Sequence, residues 1–351
     1  MLAYKIIDGI GNLTSVIGNL VSIVSPFFAG LLMAYLLYIP ENKIERSYKK
    51  AKPRFIRKNA RKFAILTTYV IAILILVIII NFILPVLIES INELIGNMEN
   101  YYNRVIETYN NLPEDSIFKT EKVYNALKEL QNFDVQQYLS LDRITGYVKG
   151  VVGFATGIFD VFVAFVVSIY ILAERNEILS FFKKLTKSMF KEKTVNKIER
   201  YFYRANGVFF KFISSQFIDA LIVGILATIV MKILNIKYAT LLGFAIGLFN
   251  MIPYFGAIIA ISISAIITLI TGGFSKAAIM LVSIIILQQI DANIINPKII
   301  GDSLEISPIL VILSVTIGGG YFGVIGMFLG VPVAAILKIL VNDYIDNKLQ
   351  V

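Results

Sequence analysis

The stretch FAILTTYVIAILILVIIINFILPVLI, residues 63–88, runs for 26 positions without a charged side chain. A helix needs about 20 apolar residues to cross the hydrocarbon core of a bilayer. A second apolar block covers residues 212–230, and the whole 351-residue chain is 57% hydrophobic and 16% charged. Soluble proteins average roughly 45–50% apolar and about 25% charged residues. The sequence therefore predicts an all-α, polytopic membrane protein.

Three residue types are missing from the chain, and their absence excludes several classes of protein. The sequence contains no His, no Cys and no Trp. Catalytic sites that need His or Cys, disulfides, thiolate zinc sites and haem ligation are therefore excluded. We expect a protein that is not an enzyme and has no cofactor and no metal site. The net charge is +9, and the basic residues concentrate beside the predicted spans. This placement favours contact with anionic lipid over contact with nucleic acid.

Residues 1–88 are interpreted as N-terminal membrane helices joined by a basic loop. The apolar stretch Ile6–Tyr38 contains Pro26, and an internal proline predicts a division into two helices. Residues 41–62 follow with ten Lys or Arg against two Glu. Because positive charge concentrates in cytoplasmic loops, this segment is predicted to be cytoplasmic, and residues 63–88 to cross outward.

The middle of the chain alternates between polar and apolar segments. Residues 89–148 hold ten acidic and five basic side chains and predict a small helical extracytoplasmic domain with a turn at Pro113. Residues 149–211 begin with a returning span, Val151–Ala173. They continue with a segment that carries ten basic and four acidic residues over 174–211, for which we expect a cytoplasmic helix along the membrane surface.

Residues 212–351 contain two long apolar segments with broken centres, 239–271 and 306–340. Each arm has about 14–17 residues, or about 21–25 Å of helix, which is short of a 30 Å hydrocarbon core. We predict two inverted re-entrant helical hairpins, and the alternative is four short full spans. Paired interrupted segments point to the binding site of a secondary transporter, so we interpret this region as a transport core. The predicted hairpin or hinge residues are Pro253, Gly256, Pro297, Gly318, Gly319, Gly320 and Gly323.

Polar side chains within the apolar segments are candidate functional groups, since a carboxylate inside a bilayer costs at least about 2.5–3.5 kcal/mol. Asp219 lies three residues after Gln216 and so shares its helical face, and the alternative is an aspartate near the membrane interface or bonded to a neighbouring helix. A second polar cluster surrounds Asp291, for which the alternative is a helix end that leaves the membrane at Pro297. The candidate ion-coupling or solute-binding residues are Asp219, Asp291, Gln216, Gln289, Asn293, Asn296 and Asn250.

Three motifs in this order resemble the autoinducer-2 exporter family of bacterial membrane proteins. They are Asn250–Gly256 (NMIPYFG), residues 289–301 (QIDANIINPKIIG) and residues 317–335, which include GVPVAA at 330–335. The chain departs from many members in two places. Ser214 and Ser215 stand where those members have Arg-Gly, and Gln288 and Gln289 stand where they have an early Glu.

The resemblance implies a secondary active exporter of a small polar solute, autoinducer-2-like, coupled to a proton or cation gradient. It also implies elevator-like motion and a homo-oligomer, typically a pentamer, in a bacterial plasma membrane. Asp219 and Asp291 would bind or sense the coupling ion, and we expect the basic loops and the C-terminus to be cytoplasmic. One alternative is a Na⁺(Li⁺)/H⁺ antiporter without an organic solute, because relatives have been linked to that exchange. Another is a membrane scaffold that does not transport.

Overall fold

The computed structural model describes the backbone of residues 2–111, 113–116, 119–132, 156–300 and 306–349. Within these ranges the ordered elements are all helices, and no strand occurs, so the all-α prediction is confirmed. Five helical stretches are long and apolar enough to cross a membrane. They are Val24–Lys49, Ala60–Gly96, Glu192–Ile233, Phe255–Ile299 and Pro308–Asp346.

Twelve α-helices are numbered here in chain order over the described residues. They are α1 Leu2–Lys49, α2 Arg54–Lys58, α3 Ala60–Ile78, α4 Leu84–Gly96, α5 Met98–Asn110, α6 Glu121–Asn132, α7 Thr156–Met189, α8 Glu192–Ile233, α9 Ala239–Asn250, α10 Phe255–Ile290, α11 Asn296–Ile300 and α12 Pro308–Leu349. Two π-helical turns join neighbouring helices without a break. One, Ile79–Ile83, joins α3 to α4, and the other, Asp291–Ile295, joins α10 to α11.

The chain forms two compact units, each described by itself. The first comprises residues 1–75 and 144–197, and the second comprises residues 76–143 and 198–351. The units divide the chain differently from the predicted segments 1–88, 89–148, 149–211 and 212–351. In particular, most of the polar segment 89–148 belongs to the second compact unit, together with residues 212–351.

In the first unit, α1 packs along α7. A Cβ added to Gly30 would lie 2.7 Å from the carbonyl oxygen of Ala164, so the two backbones are in close contact there. Near the other end of the contact, Arg175 bridges Glu41 and Glu45 with one guanidinium nitrogen to each carboxylate, at 2.8 and 2.9 Å. Both glutamates are buried, although the sequence predicts a basic cytoplasmic loop that begins at residue 41.

One prediction about the ends of helices is wrong. Helix α1 continues through Pro26 instead of dividing there. An internal proline removes one hydrogen bond, and a helix in an apolar environment tolerates this loss because neighbouring groups satisfy the freed carbonyl. The basic segment 174–211 is divided between two long helices, and its position along the membrane surface stays a prediction. Helix α7 continues to Met189, and α8 includes residues 192–211 in the same helix as the following span.

The second unit has a core formed by α8, α9 and α10. Its buried residues include Val223, Ile246, Ala260 and Ile284, and Leu94 of α4 packs against them. Polar contacts add to this attachment of the segment that begins at residue 89. The Lys237 ammonium lies 2.7 Å from a carboxylate oxygen of Glu93 and donates a 2.7 Å hydrogen bond to the hydroxyl of Tyr101. Through these hydrogen bonds Glu93 and Tyr101 raise the pKa of Lys237.

The first broken segment reverses direction between α9 and α10. Residues 251–254 form the turn, and Tyr254 has a φ of 63°. A Cβ on Gly256 would overlap the carbonyl oxygen of Phe249, so α10 begins in backbone contact with the end of α9. A second break at Gly273 (φ 81°, ψ 176°) divides α10 into two arms. Both arms contribute to the core of the second unit, through Ala260 and Ile284.

The second broken segment reverses direction inside α12. Gly323 has non-helical angles (φ 59°, ψ −145°), and a Cβ on Gly318 would overlap the carbonyl oxygen of Gly326. Eight residues of straight helix span about 12 Å, so this contact requires the chain to fold back. The reversal occurs at Gly323. Gly318, Gly319 and Gly320 lie in the helical arm before it, although the sequence predicts all four glycines as hairpin or hinge positions.

Candidate functional site

Four of the seven predicted polar residues meet inside the second unit. Gln216 and Asp219 lie on α8, Asn250 is the last residue of α9, and Asp291 opens the π-helical turn after α10. Their exposed fractions are 4% for Gln216, 0% for Asp219, 8% for Asn250 and 4% for Asp291. Since buried polar groups need partners, their hydrogen bonds define the chemistry of the site.

Asn250 connects the members of this cluster. Its side-chain Nδ2 donates a 2.8 Å hydrogen bond to Oδ2 of Asp219. Its backbone carbonyl accepts a 2.8 Å hydrogen bond from Nε2 of Gln216. The carboxyl group of Asp291 is close enough to interact electrostatically with the Asp219 carboxyl group and with the Asn250 side chain. We call these four residues the acidic-pair site.

The two carboxyl groups leave part of their bonding capacity unused. Oδ1 of Asp219 and Oδ1 of Asp291 are buried, and neither has a donor among the residues described. In the described ranges no Lys or Arg forms a salt bridge with either group. Two adjacent carboxylates repel each other, and a hydrogen bond between carboxyl groups requires a proton on one of them. The arrangement therefore suits one shared proton or one cation between the two groups.

Small residues allow the helices to approach closely enough to form the site. A Cβ on Gly243 would overlap the Thr228 hydroxyl, and one on Gly247 would lie 2.7 Å from the carbonyl oxygen of Ala220. This is the close packing that small residues provide between apolar helices. Because α9 crosses α8 at this distance, its last residue, Asn250, reaches Asp219.

The local backbone around Asp291 is unusual. The N–H of Asn296 bonds to the carbonyl oxygen of Asp291, five residues earlier, in the π-helical turn Asp291–Ile295. Pro297 follows directly and supplies no N–H to the turn before it. Such π-helical turns occur frequently at functional sites. Here the first residue of the turn is Asp291, whose carboxyl group is buried.

Three predicted site residues do not join this cluster. Gln289 and Asn293 are exposed, and Nδ2 of Asn293 bonds within its own helix to the carbonyl oxygen of Gln289 at 2.7 Å. Asn296 is half-buried at the start of α11. These side chains follow a different helical face from Asp291, so they lie away from the buried acidic pair.

Two further residues of the same helical segments carry buried polar atoms and were not among the predicted site residues. Nε2 of Gln288 and Oγ of Ser214 are buried and have no hydrogen-bond partner in the part of the chain that the structure describes. Gln288 precedes Asp291 by three residues and so shares its face, which is a signal that the sequence itself contains. Ser214 lies five residues before Asp219, and no spacing rule singles it out.

The helices and this site define a class, a polytopic helical membrane protein with a polar cluster buried among apolar helices. The sequence pattern of the AI-2E family transporter matches residues 9–346. The chain belongs to this family, whose members are transport proteins and not enzymes, so the resemblance drawn from the three motifs is confirmed.

Curated relatives agree with this assignment. "Putative transport protein YueF" of Bacillus subtilis is 24% identical over 319 residues, which are 90% of this chain and 83% of YueF. "AI-2 transport protein TqsA" of Escherichia coli is 29% identical over 124 residues, 35% of this chain and 36% of TqsA. A "Sodium-lithium/proton antiporter" of Halobacillus andaensis is 23% identical over 246 residues, 70% of this chain and 67% of the antiporter.

Proposed function

We propose that the protein is a secondary active transporter whose coupling ion, a proton or a monovalent cation, binds between Asp219 and Asp291. One observation carries the proposal, the burial of two adjacent carboxyl groups with one unpartnered oxygen each. A membrane protein bears the cost of such groups where they bind or conduct ions. Gln216 and Asn250 orient the pair, since their hydrogen bonds link Asp219 to the end of α9.

The proposed transported solute is small and polar. Support comes from the name of the Escherichia coli relative, an AI-2 transport protein, and from the amide groups of Gln216 and Asn250 beside the acidic pair. Three predicted residues would bind the solute only if the helical segment that carries them turned toward the transport pathway. They are Gln289, Asn293 and Asn296. Export is the direction that the family resemblance favours.

We further propose that the segments 239–271 and 306–340 are re-entrant hairpins of opposite orientation that move in an elevator-like manner. The chain reversals at residues 251–254 and at Gly323 support this proposal, as does the shortness of the arms. Residues 89–148 would then face outward, and the basic segments and the C-terminus would face the cytoplasm. By family resemblance we expect a homo-oligomer, typically a pentamer, in a bacterial plasma membrane.

A second candidate function is Na⁺(Li⁺)/H⁺ antiport without an organic solute. The specific observation in its favour is the relative named a sodium-lithium/proton antiporter, which aligns with 70% of this chain. A pair of carboxyl groups suits that exchange, because protons and a cation would compete for the same oxygens.

The test is reconstitution in liposomes that contain a pH dye, followed by a Na⁺ pulse. The wild type is compared with the Asp219→Asn, Asp291→Asn double variant. Asp160→Asn is the matched control, since Asp160 is exposed on α7 and undergoes the same chemical change. Labelled autoinducer-2 is then tested in the same vesicles under an imposed pH gradient.

The outcomes separate the candidates. Na⁺-dependent proton movement in the wild type and the control, and not in the double variant, would support antiport at the acidic pair. Gradient-dependent movement of autoinducer-2 with the same dependence on the two aspartates would support solute transport. Unchanged flux in the double variant would exclude this coupling site, and no flux of either kind in the wild type would contradict both candidate functions.

A further inference from the structure

Three buried polar atoms without a partner belong to the acidic pair and to the residue one helical turn before Asp291, and they comprise two hydrogen-bond acceptors and one donor. The acceptors are Oδ1 of Asp219 and Oδ1 of Asp291, and the donor is Nε2 of Gln288. All three atoms are buried and lack a partner among the described residues. A buried donor without an acceptor is destabilising, and a ligand that accepts from it would remove that cost.

The position of Gln288 connects the unused donor with the acidic pair. The residue lies one helical turn before Asp291, on the same face, and its backbone carbonyl accepts a hydrogen bond from the N–H of Asp291. The next residue, Gln289, has the same side chain and is exposed on the other face. Of these two neighbouring amides, only that of Gln288 shares the helical face of Asp291 and has a buried nitrogen.

The combination of donor and acceptors restricts the chemistry of the ligand. A bare cation satisfies two carboxyl oxygens and repels an amide N–H, because it has no lone pair to offer. A ligand that satisfies all three atoms needs positive charge for the carboxyl groups and an oxygen that accepts from the amide. A monovalent cation that retains a water molecule meets both conditions, since bound water counts as a hydrogen-bonding group in its own right.

We propose that Gln288 is a third ligand-binding side chain and that it holds a water molecule on a monovalent cation bound between Asp219 and Asp291. This inference rests on the proposed function. It adds that the cation enters the site partly hydrated, and that Gln288, not Gln289, determines how tightly it is held.

Substitution by methionine provides the test, because methionine matches the length of glutamine and has no N–H. In Gln288→Met the half-saturating Na⁺ concentration, measured as Na⁺-dependent proton movement in liposomes, should rise about tenfold, the equivalent of one lost hydrogen bond. The melting temperature of the purified protein in Na⁺-free choline buffer should stay level or rise, because an unsatisfied buried donor is removed. Gln289→Met, the matched control, should change neither quantity.

If Gln288 only stabilised the fold and bound no ligand, the melting temperature would change and the half-saturating Na⁺ concentration would not. A lower melting temperature in choline buffer with an unchanged half-saturating Na⁺ concentration would overturn the proposal, and so would equal effects of Gln288→Met and Gln289→Met. The Asp219→Asn, Asp291→Asn variant keeps the two proposals apart. If that variant loses flux while Gln288→Met behaves as wild type, the coupling site stands and only the assignment of Gln288 fails.

Discussion

At the scale of single residues, Asn250 holds the acidic pair in its arrangement. It is the last residue of α9, it donates from its side chain to Asp219, and it accepts from Gln216 through its backbone. The side-chain amide also interacts with Asp291. Asn250 therefore orients the Asp219 carboxyl group directly, and only its side-chain contacts depend on the residue type.

We expect Asn250→Ala to weaken the site and the fold together. The substitution leaves Oδ2 of Asp219 without its donor, and an unsatisfied buried polar group costs about 1–3 kcal/mol. Thermal melting of the detergent-solubilised protein should show the loss, and the half-saturating Na⁺ concentration should rise. Asn293→Ala is the control, because Asn293 is exposed and bonds only within its own helix. Equal melting temperatures for the two variants would contradict this role.

At the scale of helices, the fold-back of α12 depends on contact between its two arms. Gly318 touches the backbone of Gly326, and Gly330 approaches the carbonyl oxygen of Ser314. Gly320, two residues after Gly318, has open space where a Cβ would be. Within the triple glycine, Gly318 therefore has no room for a side chain, whereas Gly320 does.

Alanine substitutions at Gly318 and Gly320 should change the melting temperature differently. Gly318→Ala forces the arms apart and should lower the melting temperature. Gly320→Ala should leave it unchanged or raise it, since alanine favours a helix over glycine by up to about 1 kcal/mol. The comparison uses the same substitution in the same helix, and both variants are followed by melting and by yield in membranes. Gly318→Ala and Gly320→Ala with equal stability would show that the arms do not pack as described.

At the scale of the whole molecule, charge predicts how the chain crosses the membrane. The basic side chains of residues 41–62 and 174–211 contrast with the acidic residues of 89–148. Because positive charge is retained in the cytoplasm, we predict the two basic segments on one side of the membrane and the acidic segment on the other. The helices themselves do not indicate a side, because length and apolarity are the same in both orientations.

Single cysteines provide a direct test of this orientation, since the natural sequence contains none. In intact cells a membrane-impermeant maleimide should label Asp115→Cys and leave Lys52→Cys unlabelled until the membrane is permeabilised. Both positions are exposed, so access depends on the side of the membrane. The unsubstituted protein is the blank, and labelling in the reverse order would exclude the proposed topology.

Much of the site could be predicted from the sequence because polar residues are conspicuous among apolar ones. Asp219, Asp291, Gln216 and Asn250 stand out in this way, and the structure brings them together. The same criterion also selected Gln289 and Asn293, which are exposed. A polar residue in an apolar segment is a candidate site residue. Whether it joins the buried cluster depends on whether its helical face turns toward α8 and α9.

Composition and hydrophobic pattern predicted that this protein is helical and crosses a membrane, because burial in lipid demands long apolar helices whatever their packing. The three motifs that resemble the family predicted that it is a transport protein. The tertiary structure alone decided that α1 continues through Pro26, that Glu41 is buried beside Arg175, and that Nε2 of Gln288 is buried while Gln289 is exposed. These features depend on contacts between residues far apart in the chain or on opposite faces of one helix. Their energies come from close packing and from matched donors and acceptors, which local sequence does not encode.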